Sequence, residues 1–279
     1  MLVFAKIKSV QEKLKSLKKE TSIGFVPTMG ALHKGHLSLI EQAKKENDFV
    51  VVSIFINPTQ FDKQEDLINY PKTIENDLDL LKSVSCDLVF IPTAEEIYAN
   101  NITSSSFDFN GLEYQMEGKF RDGHFNGVGT IVKRLFEIVM PHNAYFGEKD
   151  FQQLQIIKNL VAQNQMPINI IGCPIFREND GLAMSSRNER LTTAHRAAAP
   201  FIYKTLQKAK VEFGTKNADE LKIWVENEFK NQPLLDLEYF EIADEDTLIS
   251  IQDIKTSQKQ RAFIAVFAGK IRLIDNISL

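Results

Sequence analysis

The chain has 279 residues, 43% hydrophobic and 25% charged, a balance that fits a globular protein with a sizeable core in one large domain or two ordinary ones. A general nucleic-acid binder usually has a basic face, and a formal charge of −4 does not call for one. The two cysteines, Cys86 and Cys173, lie beside strand-like apolar runs and read as buried free thiols of a reducing compartment, which argues against a disulfide or a two-cysteine metal site.

The apolar start of the chain is too short for a signal peptide, and lysines follow it. Val10, Leu14 and Leu17 recur at helical spacing, so residues 9–19 read as a surface amphipathic helix. No segment approaches the roughly 20 apolar residues of a membrane-spanning helix, and a soluble cytoplasmic protein is expected.

Residues 21–26 read as a strand ending at Pro27, followed by a glycine-containing loop and a helix over 36–47. The run 49–57 is nearly unbroken apolar, as in a parallel strand buried on both faces. The pattern repeats: a helix from Thr73 to 83, a strand at 87–92, a helix over 127–140, the strand "NAYFG", a helix over 150–165 and the strand "INIIGC". Such alternation predicts an open parallel α/β sheet with helices on both faces. After Cys173 come helical stretches at 193–213 and 218–231, then strands that polar turns could join as hairpins. The expected organisation is a Rossmann-like domain over 1–175 and a smaller α+β domain over 176–279.

Four stretches carry chemistry. "PTMGALHKGH" (Pro27–His36) follows a strand and opens a helix, where free N–H groups and the helix dipole attract phosphates. Gly30 and Gly35 permit close backbone approach, and His33 and His36 add donors. Zinc binding would need a third ligand that no local cluster supplies, and ordinary loop histidines are the bland reading. "FGEKDFQQ" (Phe146–Gln153) sits at another strand-to-helix junction, with Lys149 able to reach a phosphate, or equally a capped helix with surface Lys and Gln. "FINPTQF" brings Thr59 and Gln60 to the same sheet edge, where a neutral amide suits a carboxylate- and hydroxyl-bearing ligand; a plain turn is the other reading. Ser185, Ser186 and Arg187 form an anion clamp or an N-cap cluster.

Together with "YPKTIENDL", "GKFRDGHFNGV" and "RENDGLAMSSRN", in this order, these stretches resemble the pantothenate synthetase (pantoate–β-alanine ligase) family over residues 24–191. H-x-G-H by itself belongs to a wider group of nucleotidyl-transferring α/β proteins. The resemblance implies an AMP-forming ligase that makes pantoyl adenylate from pantoate and ATP, then transfers pantoate to β-alanine. It implies ATP contacts at Met29, Gly30, Ala31, Leu32, His33, Lys34, Gly35 and His36, at Gly147, Glu148, Lys149 and Asp150, and at Phe176, Met184, Ser185, Ser186 and Arg187. His36, His33, Lys149 and Arg187 would act in catalysis, His36 as proton donor. Gln60 and Gln153 would hold pantoate, with Gln60 also near β-alanine. It further implies a cytoplasmic homodimer and Mg²⁺ carried mainly by ATP, with no dedicated protein metal site. Asp122 and Arg134 depart from the family pattern, outside these contacts. The competing readings are an adenylyltransferase that keeps AMP in its product, an aminoacyl-tRNA synthetase, and a non-catalytic nucleotide sensor.

Overall fold

The structure, a computed structural model, describes residues 1–62, 64–99, 101–252 and 259–279. By internal contacts the chain divides into two units. The first comprises Met1–Glu113, Glu117–Glu148 and Gln153–Pro174, the second Tyr114–Met116, Lys149–Gln152 and Ile175–Leu279.

The first unit is built on a six-stranded parallel sheet. Its strands are β1 (Leu2–Phe4), β2 (Ile23–Thr28), β3 (Phe49–Ile54), β4 (Leu88–Phe90), β5 (Asn143–Gly147) and β6 (Asn169–Cys173). Their order is β1-β4-β3-β2-β5-β6, so the chain reverses direction across the sheet between β2 and β5. Ligands of open α/β sheets bind at such a switch point, beyond the strands' C-terminal ends. Successive side chains of a strand point to opposite faces. Val26 and Tyr145 accordingly join Ile40 and Ala43 of the Lys34–Glu46 helix in one core cluster. Phe25 and Phe146 instead meet Phe136 of the His124–Val139 helix edge-on, with ring centroids 6.2 and 6.4 Å apart. The sheet is therefore covered on both faces, as its apolar strands require.

Three local details differ from the sequence reading. β1 is an additional edge strand, paired in parallel with β4; three largely exposed residues carry no alternation to betray it. β2 runs one residue past Pro27, in register with Ser53, where β2 is paired with β3 alone. The helix expected over 193–213 is two, Thr193–Ala198 and Phe201–Glu212, divided at Pro200, which has no N–H for the helical ladder.

The second unit has an antiparallel sheet of β7 (Asp236–Asp244), β8 (Gln260–Ala268) and β9 (Ile271–Ser278). Leu206, Leu221 and Val225, from the Phe201–Glu212 and Ala218–Lys230 helices, pack with Ile264 and Val266 of β8 into its core. Both cysteines are buried free thiols, and desolvation pushes them up to about 12 (Cys86) and about 11 (Cys173), far from reactive thiolate. Among the described residues no helix is long and apolar enough to cross a membrane.

Candidate active site

The loop after β2 is held by its own backbone and by one buried carboxylate. Gly30 and Ala31 both have positive φ (84° and 50°), which turns the chain sharply out of the strand. Asp77, fully buried on the Ile74–Ser83 helix, accepts from the Ala31 N–H at 3.0 Å and the Leu32 N–H at 2.8 Å. Thr73 occupies the N-cap position of that helix, yet its hydroxyl donates to Asp77 Oδ1 at 3.0 Å and caps no backbone N–H. A Cβ on Gly30 would meet Asp77 Oδ2 and the Ile54 side chain, each at 3.0 Å, so the bare glycine lets the carboxylate come this close.

His33 is the N-cap of the Lys34–Glu46 helix, and its Nδ1 accepts from the Gly35 N–H at 3.2 Å. His36 reaches back so that its Nδ1 accepts from the His33 N–H at 3.3 Å. Two histidines thus form a capping box, a task usually given to Ser or Thr with Glu. The rings lie 4.0 Å apart, centroid to centroid. An Nδ1 that accepts cannot carry the hydrogen, so each neutral ring presents Nε2–H as a donor. Among the described residues no group of three or more His, Cys, Asp or Glu is placed to hold a metal ion.

Gln60 ends the short 3-10 turn Pro58–Gln60 after β3. Its Nε2 donates to Met29 Sδ at 3.2 Å, joining this turn to the β2 loop. Asn57, only 1% exposed, donates from Nδ2 to Gln60 Oε1 (3.1 Å) and the Gly127 carbonyl (3.2 Å). Its Oδ1 accepts from Thr59 (3.1 Å) and Tyr98 (2.5 Å), so the amide's whole hydrogen-bonding capacity is used. Burial raises the Tyr98 pKa, which keeps its hydroxyl a donor. The Gln60 carbonyl meets His124 Nδ1 at 2.7 Å. Burial, and secondly the Arg121 charge 3.1 Å from its Nε2, lowers His124 to about 4, so it is neutral at pH 7. A Cβ on Gly127 would lie 2.2 Å from the Thr59 carbonyl oxygen, so only glycine lets this helix touch the turn.

Gly147 closes β5, and Glu148–Asp150 is a 3-10 turn leading into the Phe151–Gln163 helix, where Gln153 stands half-buried. Of these, Lys149 and Asp150 belong to the second unit, with Lys149 Nζ 3.8 Å from Asp150. In that unit Arg177 and Ala183 form a β-bridge, and the Phe176 carbonyl accepts from the Met184 N–H at 3.0 Å. Ser185 caps the turn Ser186–Arg190 by accepting from the Arg187 N–H at 3.3 Å. The N-cap reading of the serines therefore describes Ser185, on a loop that also carries Arg187.

The structure thus joins Met29 to Gln60 and His33 to His36 in the first unit, and Phe176 to Met184 and Ser185 to Arg187 in the second. Sequence reasoning did not single out Asp77, Tyr98, His124 or Gly127 as site residues. Asp77, His124 and Gly127 do stand inside the motifs quoted above, while nothing near Tyr98 marks it.

Comparison with known proteins agrees across the chain. The family described as Pantoate-beta-alanine ligase matches residues 2–278. The pantothenate synthetase of Flavobacterium psychrophilum is 55% identical over 281 residues, covering 100% of both chains. The crystal structure of pantothenate synthetase from Thermus thermophilus superposes with a TM-score of 0.91 at 38% identity, covering 99% of each chain. That of the pantoate-beta-alanine ligase from Francisella tularensis, complexed with beta-gamma ATP and beta-alanine, has a TM-score of 0.83 at 38% identity, covering 100% of this chain and 97% of that one.

Proposed function

The chain belongs to the pantoate–beta-alanine ligase family, and from that premise we propose that it is a pantothenate synthetase joining pantoate to β-alanine with ATP. A pantoate carboxylate oxygen attacks the α-phosphorus of ATP, and the bond to pyrophosphate breaks. The β-alanine amine then attacks the acyl carbon of pantoyl adenylate, loses a proton and displaces AMP, leaving pantothenate.

The observation that carries this reading is the paired-histidine loop. Pantoate's carboxylate is already ionised, so the first step needs no strong base. It needs two anions brought together in line and charge neutralised on the phosphates. Imidazoles fixed through Nδ1 offer Nε2–H donors without a conformational search. In this reading His36 donates to the phosphates with His33 beside it, and Lys149 and Arg187 supply positive charge. Met29 to His36, Gly147 to Asp150, Phe176 and Met184 to Arg187 contact ATP. Gln60, locked by Asn57 and Met29, holds pantoate together with Gln153 and lies near β-alanine.

Most of these groups, hydroxyls, imidazoles and cationic side chains, suit phosphate, and only Glu148 and Asp150 among the proposed ATP contacts are carboxylates that could meet a cation or its water, which fits Mg²⁺ bound mainly through the ATP phosphates; when bound, it would neutralise their charge. In the proposed division, residues 1–175 bind ATP and pantoate, and residues 176–279 form a smaller lid domain that contributes Phe176 and Met184 to Arg187. The protein acts in the cytoplasm, which suits its buried free thiols, and as a homodimer, as the family resemblance implies.

The test is a product assay with pantoate, ATP and β-alanine, each omitted in turn. Pantothenate and AMP should form only with all three, and pyrophosphate whenever pantoate and ATP are present. Retention of AMP in the product would favour an adenylyltransferase, and ATP binding without pyrophosphate release a nucleotide sensor.

A further inference from the structure

β9 carries two successive polar residues, Asp275 and Asn276, that are 4% and 1% exposed. Buried polar groups are tolerated when their hydrogen-bonding capacity is met. Asn276 meets it with side chain and backbone alike. Its Nδ2 donates to the Lys149 carbonyl at 3.0 Å, and its Oδ1 accepts from Arg261 at 2.6 Å. Its N–H donates to the Asp275 carboxylate at 2.8 Å, and its carbonyl accepts from Arg177 at 3.4 Å.

Both arginines are themselves fixed. Arg177 forks onto Asp275 at 2.6 and 2.9 Å and lies 3.6 Å over the Tyr203 ring. Arg261 donates to Glu245 at 2.9 Å and lies 4.0 Å over the ring of Phe151, two residues beyond Lys149. The segment carrying Lys149 is therefore gripped twice from the C-terminal strands, once at its own carbonyl and once at Phe151. All of these groups belong to the second unit.

We infer that Asn276 is a positioning residue for Lys149, and this rests on the role of Lys149 in adenylate formation proposed above. A lysine ammonium sits on a flexible four-carbon stem and has no directional fork of its own. Where its backbone stands decides whether its charge meets the charge developing on the phosphates, and a misplacement of about 1 Å can cost on the order of 10²-fold. The anchor lies 127 residues from Lys149 along the chain, so only the fold brings the two together.

The test is a double-variant cycle in the full-length enzyme, read as pantoate-dependent pyrophosphate release. Asn276→Asp keeps the side chain's size and the oxygen that faces Arg261, but turns a carboxylate oxygen toward the Lys149 carbonyl. It should slow release about 10- to 100-fold with the KM for β-alanine unchanged. Added to Lys149→Ala it should cost less than about twofold more, because it acts through the lysine. Near-normal release by Asn276→Asp, or a full multiplicative loss in the double variant, overturns the proposal. Should Asn276→Asp fail to fold, Asn276→Ala enters the same cycle under the same criteria. Wild-type enzyme without pantoate-dependent release would instead refute the functional reading, and it is assayed first.

Discussion

The loop at Met29–His36 and the turn at Lys149 handle phosphates in the same proposed reaction, yet they are held by opposite means. The first is pinned through its N–H groups, which Asp77 accepts, and its histidines add a capping box of their own. The second is pinned through a carbonyl, to which Asn276 donates. A carboxylate suits the first because the Gly30–Ala31 turn points two successive amides at one place. A neutral amide suits the second because it must donate to Lys149 while accepting from Arg261. Both anchors are fully buried side chains, so each loop stands on a fixed polar support instead of on its own stiffness.

Breaking the first loop directly should have the largest effect. His36→Ala should fold normally and lose adenylate formation by on the order of 10²-fold or more, as for removal of one transition-state donor. Near-normal pantoate-dependent pyrophosphate release by the purified variant would remove His36 from the chemistry.

Breaking the loop's anchor should come next. Asp77→Asn retains one acceptor for two converging N–H groups, leaving a buried donor unmet at about 1–3 kcal/mol. Adenylate formation should slow roughly tenfold with the KM for β-alanine unchanged. An unaltered rate, with only a lowered melting temperature, would make Asp77 a stabilising residue and nothing more.

Gly127→Ala tests the support beneath Gln60. The added methyl collides with backbone at Thr59 and Gln60, so the turn must shift. The KM for pantoate should rise several-fold, roughly fivefold, while that for ATP stays put. Equal rises in both would mean that the helix and turn do not serve Gln60 specifically.

The last effect is one of pH, and it falls on stability and not on the rate. His124 has a folded pKa of about 4 against an ordinary value of 6.5, because it is buried and faces Arg121. Its unfolded form binds the proton first, so the stability tied to neutral His124 is complete above about pH 6.5 and is lost as pH falls toward 4. The loss by pH 4 is on the order of 3 kcal/mol, to be measured by urea unfolding across that range. His124→Asn should flatten this dependence; an unchanged slope would assign it to other groups.

Reading the sequence alone captured what is local. The parallel alternation, the boundaries of β5 and the strand-to-helix setting of His33 and His36 all arise from periodicity and capping within a few residues. The anchors were hidden because they are tertiary. Asp77 sits 45 and 46 residues from the amides it accepts, and Asn276 127 residues from Lys149. Asn57 was visible only as the end of a strand, although its four hydrogen bonds organise Gln60. The division at Pro200 was missed although its cause is local, since proline cannot serve a helix interior. A buried Asp or Asn announces nothing in sequence, because its meaning lies in the distant backbone it holds.

The central claim is that this chain activates pantoate as an adenylate before β-alanine takes part. Exchange of labelled pyrophosphate into ATP measures that step alone, in the absence of β-alanine. Exchange that requires pantoate and proceeds without β-alanine is the predicted result. Exchange without pantoate, or none until β-alanine is added, would contradict it.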